Sequence, residues 1–153
     1  MQKRGNKGGR KLPAIKMPST KKAVPVAATQ APPPVVGLIR FRFHMLDIGG
    51  PYCLSSITAH DHAELLTFLK AVEKMTVHEL FAQQAGKPKD YPLDEIPTRR
   101  AVERLHELGY DEYDQISNLR VTGAKRLYGF RQDNEFAILW WDPEHEIWPS
   151  TKK

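Results

Sequence analysis

Residues 115–148 read QISNLRVTGAKRLYGFRQDNEFAILWWDPEHEIW. Three runs, 115–121, 125–131 and 135–141, are rich in β-branched and aromatic side chains and are separated by turn residues, which predicts three short strands. Asp133-Asn134 suits a two-residue hairpin turn, because both residues tolerate positive φ. With that turn fixed, Gln132 pairs with Glu135 and each step outward follows. Arg131 then faces Phe136, Gly129 faces Ile138 and Leu127 faces Trp140. On the other face Phe130 meets Ala137, Tyr128 meets Leu139 and Arg126 meets Trp141. Pro143 pre-sets a second turn across 142–145, leading to a last strand near 146–149 that places Ile147 beside Trp140, Glu146 beside Trp141 and Trp148 beside Leu139. One face (Leu127, Phe136, Ile138, Trp140, Ile147) is apolar and is expected to pack on helices. The other carries Arg126, Tyr128, Trp141, Glu146 and Trp148, and an aromatic, charged face left open is a binding surface.

Towards the N-terminus, Phe41, Phe43 and Met45 alternate with Arg40, Arg42 and His44, the period of a half-buried strand ended by Gly49-Gly50-Pro51. Thr58 with Asp61 resembles a capping box, and Leu65, Leu66, Phe68, Leu69, Val72 and Met75 follow as one helical stripe. Thr76 with Glu79 predicts a second helical start, continued by Val77, Leu80 and Phe81. Residues 86–93 read as a loop. Asp94 as cap, Pro97 in the first turn, the stripe Ala101, Val102, Leu105, Leu108 and then Gly109 predict a third helix. A strand, two to three helices and an antiparallel meander of three to four strands make an α+β domain over 38–150.

The chain has 153 residues, with 12 prolines, one cysteine and a net charge of +5. That charge is uneven. Residues 1–37 hold eight basic side chains, Lys3, Arg4, Lys7, Arg10 and Lys11 among them, and no acidic one, whereas the rest carries 15 basic against 18 acidic. This segment also has half the prolines and no aromatic residue, so it cannot bury enough apolar area to offset its ordering entropy and is expected to be a disordered basic arm. Such an arm can neutralise phosphates, fold into a partner's groove or merely solubilise. No apolar run reaches the length of a bilayer span, Cys53 has no disulfide partner, and the basic start lacks the apolar region of a secretory signal. A cytoplasmic protein with no membrane partner is expected.

The sequence contains no metalloprotease HExxH, P-loop, GxGxxG or GxSxG pattern. His60 and His62, two apart on a helix, point about 200° from one another and cannot share a metal ion. No metal or cofactor is expected. Arginines beside aromatics on a sheet can hold phosphates and stack unpaired bases, which gives Arg40, Arg42, Arg120, Tyr128, Trp141 and Trp148, with the arm's cations, as candidate nucleic-acid contacts. A carboxylate or histidine beside them, Glu146 or His145, can activate a ribose 2′-hydroxyl without a metal. The same residues can equally form cross-strand salt bridges and cation–π pairs on a solvated face.

The element order and the segment 119–131, LRVTGAKRLYGFR, resemble the RelE/ParE superfamily of small bacterial toxins, in which an L-x-G-x-x-R segment opens the hairpin sheet. Residues 136–145, FAILWWDPEH, look like the ending of a group of small bacterial and phage proteins. The resemblance implies a toxin that cleaves ribosome-bound mRNA or poisons gyrase and is neutralised by an antitoxin. Arg126 matches the phosphate-contacting arginine of the nuclease branch. His145 and Trp148 lie where its members carry terminal histidine, arginine or tyrosine residues, although Trp148 cannot donate a proton as tyrosine does. Joined to the reading of the face above, the resemblance gives Arg126 as the phosphate contact and Glu146 or His145 as the proton carrier, a catalytic set for a metal-independent endoribonuclease. The alternative is a non-enzymatic, phage-type module that binds protein or nucleic acid on the same fold.

Overall fold

A computed structural model describes residues 37–82 and 88–150, which lie in the compact unit Val35–Lys153. The arm, with Lys3, Arg4, Lys7, Arg10 and Lys11, lies outside the described residues. The elements run β1 (Arg40–Arg42), α1 (Ala59–Val72), α2 (Val77–Ala82), β2 (Lys89–Pro92), α3 (Arg99–Leu108), β3 (Gln115–Thr122), β4 (Lys125–Gln132) and β5 (Glu135–Asp142). They build one five-stranded sheet, ordered β1-β5-β4-β3-β2. β1 runs parallel to β5, and all other neighbours are antiparallel. The α+β class and the C-terminal meander are as the sequence indicates.

Local chemistry sets the helix starts. The Thr58 hydroxyl accepts from the Asp61 N–H at 3.1 Å. At α2 the capping box is reciprocal: Glu79 N–H donates to Thr76 Oγ1, and Thr76 N–H to Glu79 Oε1. Gly109 closes α3 in the left-handed conformation, φ 78°. The start of α3 departs from expectation, because its cap residue is Thr98, whose hydroxyl is turned away to the carbonyls of Glu146 and Ile147.

Both faces of the sheet are covered. Leu65, Val72 and Leu80 from α1 and α2 pack on Leu119, Leu127, Phe136, Ile138 and Trp141. Ala101 and Leu105 of α3 pack on the opposite face, over Ile116, Tyr128, Phe130, Leu139 and Trp140. The aromatic face expected to be open is therefore largely core.

Four further expectations are corrected. β1 stops at Arg42, because the chain turns at Phe43 (Leu46 N–H to Phe43 O, 3.1 Å); Met45 enters the core while Phe43 stays exposed. Within 86–93, residues 89–92 form an edge strand, a position that tolerates Pro92 because one side needs no ladder donor. Segment 146–149 forms no strand. Instead the Asp142 carboxylate accepts from the Glu146 and Ile147 N–H groups (2.9 and 2.8 Å), with His145 at φ 59° between them.

The fourth correction is the register. Gln132↔Glu135, Arg131↔Phe136, Phe130↔Ala137 and Gly129↔Ile138 pair as expected, but Tyr128 meets Trp140, Leu127 meets Trp141 and Arg126 meets Asp142. Leu139 is the extra residue of a β-bulge. Its cause lies beside β5, beyond the end of β1: the Asp47 N–H donates to Leu139 O, and the Trp141 N–H donates to Tyr52 O. Gly129, facing the bulge, leaves no room for a side chain, since a Cβ there would stand 2.2 Å from the Ala137 carbonyl oxygen. The shift exchanges Trp140 and Trp141 between faces.

Candidate functional site

The face under α3 changes character along its length. Beneath the helix it is apolar. Towards the β3–β4 turn, strand alternation puts Lys89 and Tyr91 of β2, Asn118 and Arg120 of β3, Arg126 and Tyr128 of β4, and Asp142 of β5 on one side. Register brings them abreast: Lys89 opposite Asn118, Asn118 opposite Tyr128, Arg120 opposite Arg126, and Arg126 opposite Asp142. Residues 143–148 then leave the end of β5 and reach β2, where the Trp148 ring stacks on Tyr91 (centroids 4.1 Å apart, 24° between planes).

The two arginines converge on one carbonyl. Arg126 Nη1 donates to Gly123 O at 2.7 Å, and Arg120 Nε donates to the same oxygen at 3.2 Å. Gly123 turns there with φ 49°, so the tight β3–β4 connection presents its carbonyl oxygen to both side chains. Neither guanidinium, nor the Lys89 ammonium, forms a salt bridge among the described residues, whereas Arg42, Arg99, Arg104, Lys125 and Arg131 all do. The nearby carboxylate, Asp142, is buried and spent on backbone N–H groups. Partial burial and the adjacent Arg120 charge lower the pKa of Arg126, though an arginine remains charged at any working pH. The three cations thus act with no salt-bridged carboxylate among the described residues, and the Asp142 charge beside them only partly offsets theirs.

Three buried polar atoms next to it, Tyr128 Oη, Asn118 Nδ2 and His145 Nδ1, make no well-aligned hydrogen bond among the described residues, although the Asn118 side chain lies close enough to the Tyr128 hydroxyl to act on it. Burial pushes the Tyr128 phenol well above its ordinary range, against the pull of Asn118 and Arg126 beside it. Burial, and after it the charge of Arg126, pushes the His145 imidazole below its usual value, with Arg120 and Lys89 adding to the fall and Asp142 opposing it. His145 is accordingly neutral at pH 7, with Nδ1 turned inward and Nε2 left as the nitrogen that can meet a ligand.

Of the residues expected to act together, the structure gathers Arg120, Arg126, Tyr128, His145 and Trp148. Tyr128 is fully buried and cannot offer its ring to a base. Trp141 is 3% exposed and, because of the bulge, lies on the α1 face. Glu146 lines a separate hollow with Tyr52 and Arg100, so it does not share the cluster with Arg126. Arg40 and Arg42 sit at the far end of β5, opposite Glu135 and Ala137, about 16 Å of strand from the level of Arg126, and Arg42 is engaged by Glu135 at 3.0 Å. Lys89, Tyr91 and Asn118 were not legible as site residues. Only the alternation Lys89, Tyr91 hinted at β2.

A second cluster, His60, Asp61 and Glu64, has ligand-type atoms within 4.8 Å of one another. Lys125 Nζ is ion-paired with both carboxylates and so takes the place a cation would occupy. No protein-family profile, no curated protein and no solved structure matches this chain.

Proposed function

We propose that this chain binds RNA, with the Arg120–Arg126 pair holding backbone phosphates and Lys89 adding a third cation. The observation that carries this reading is the pair itself: two guanidiniums drawn to one carbonyl with no carboxylate partner. Holding like charges together is unfavourable, and a bound phosphate relieves it with charge-assisted hydrogen bonds. Arginine geometry matches phosphate oxygens bidentately. No described helix is long and apolar enough to cross a membrane, and the unpartnered Cys53 fits a reducing, cytoplasmic setting.

The toxin-type reading, in which a RelE-like fold cuts mRNA and an antitoxin covers the cationic strip, is favoured by one observation: His145 stands beside Arg126, Arg120 and Lys89 with its Nδ1 buried, and their charges together with burial lower its pKa. In this mechanism His145 Nε2 takes the proton of a ribose 2′-hydroxyl. The freed oxygen attacks the adjacent phosphorus while the arginines hold its non-bridging oxygens. The 5′-oxygen leaves, gains a proton from solvent, and a 2′,3′-cyclic phosphate remains. Glu146 has no part in it.

The test is the affinity of the full chain for a fluorescein-labelled single-stranded RNA at about 50 and 200 mM salt. Affinity should fall with salt, and the double variant Arg120→Ala/Arg126→Ala should bind more weakly, with a salt slope shallower by about two. Unchanged binding by that variant overturns the assignment. A 2′,3′-cyclic product that disappears in His145→Asn establishes cleavage, whereas intact RNA leaves the binding module.

A further inference from the structure

We infer that the stacked Tyr91–Trp148 pair is a platform for an unpaired base, so that the ligand of the arginine pair is single-stranded RNA and not duplex. The inference rests on the phosphate-binding reading and adds a substrate class to it. The two rings lie nearly parallel at 4.1 Å, and both remain partly in solvent. A flat pair of this kind accepts a third ring by continuing the stack, whichever base supplies it. Tyr91 shares a face of β2 with Lys89, and Lys89 stands opposite Asn118, two residues from Arg120. Cation and platform therefore lie along one strip, where a phosphate and a neighbouring base of one strand can be held together. In a duplex the bases are stacked within the helix and cannot reach a protein ring without being unpaired.

A second aromatic group makes the choice specific. Tyr113, 46% exposed, packs over Phe130 (4.6 Å, 31°), but the cations near it, Arg42 and Arg131, are paired with Glu135 and Asp90. Of these two exposed groups, the Tyr91–Trp148 platform is the one that adjoins cations without a salt bridge among the described residues.

Two readouts on the full chain test this. The first is affinity for an unpaired oligoribonucleotide of about 12 nucleotides, for the same strand annealed to its complement, and for an abasic strand of equal length. The unpaired strand should bind roughly tenfold more tightly than either control, the worth of one base–aromatic stack, and Trp148→Leu should bring it to the level of the duplex. The second readout needs no variant and decides the matter if Trp148→Leu does not fold. Trp140 and Trp141 are buried, so quenching of tryptophan emission by the unpaired strand, and not by the duplex, reports on Trp148. Equal affinities with unmoved emission, while Arg120→Ala/Arg126→Ala still weakens every complex, overturn the platform and leave the phosphate reading intact. Absence of binding to all three probes overturns both.

Discussion

The Asp47–Arg104 pair offers the sharpest test of how this fold is held. The Asp47 carboxylate is buried and accepts from Arg104 Nε (2.9 Å), Arg104 Nη2 (2.6 Å) and Trp140 Nε1 (2.8 Å). Its backbone N–H supports the bulged Leu139, so one residue ties α3, the bulge and the Trp140 ring together. Gly50 is required beside it, since a Cβ there would stand 2.1 Å from Asp47 Oδ2. Removing one partner of a buried ion pair costs about 3–5 kcal/mol. Asp47→Asn should fall near the lower figure, about 3 kcal/mol, because its amide oxygen still accepts from Trp140 and the freed Arg104 keeps Glu107 at 2.9 Å. Arg104→Met should shift the urea midpoint further, because the carboxylate it strands has no route to water. The double variant should recover part of the loss. Urea melts followed by tryptophan emission, at constant m, measure all three. An Asp47→Asn loss equal to or larger than that of Arg104→Met would refute the reasoning.

Acid should expose the same pair. Burial alone would raise the Asp47 pKa, but the hydrogen bonds from Arg104 and Trp140 more than offset it and hold the carboxyl below its usual range. The pair's stability is therefore present above the unfolded value, about 3.9, and is lost as pH falls towards the folded one. Wild type should lose more stability than Asp47→Asn between roughly pH 5 and 3, as urea midpoints will show. Gly129→Ala should destabilise by at least about 1–3 kcal/mol, the usual cost of overpacking, since its Cβ would collide with the Ala137 carbonyl and the Phe136 ring; a thermal melt checks it. Tyr128→Phe should leave the melting temperature close to that of wild type, because the buried hydroxyl it removes makes no well-aligned hydrogen bond and keeps only a weak contact with Asn118. RNA affinity should rise as pH drops below about 6.5, because protonating His145, whose folded pKa is depressed, adds a cation beside the phosphate; His145→Asn should flatten that profile.

What could be read from the sequence was what local chemistry decides. Asp133-Asn134, Thr58 with Asp61, Thr76 with Glu79, and Gly109 each specify their own turn or cap, and each stands where expected. Alternation along β4 likewise placed Arg126 and Tyr128 on one side. The bulge at Leu139 was not legible, because the groups that support it, Asp47 N–H and Tyr52 O, come from a loop about 90 residues earlier. That one insertion moved Trp141 off the candidate face and set Asp142 opposite Arg126. β2 escaped notice because a four-residue edge strand with a proline gives little periodicity, and Lys89 and Tyr91 went with it. α3 was read as a helix, but the sheet face it covers is a matter of long-range packing. Glu146 was lost for a similar reason: its segment is a turn held by Asp142, not a strand continuing the alternation.

The central claim is that RNA meets the strip between the β3–β4 turn and residues 143–148. Backbone amide shifts of the isotopically labelled full chain, followed during titration with a short unpaired RNA, test it most directly. Within the folded domain the largest changes should fall at Lys89, Tyr91, Arg120, Arg126 and residues 143–148, leaving β1 and α1 unmoved. Changes confined to β1 or to the surroundings of Tyr113, with that strip silent, would contradict it.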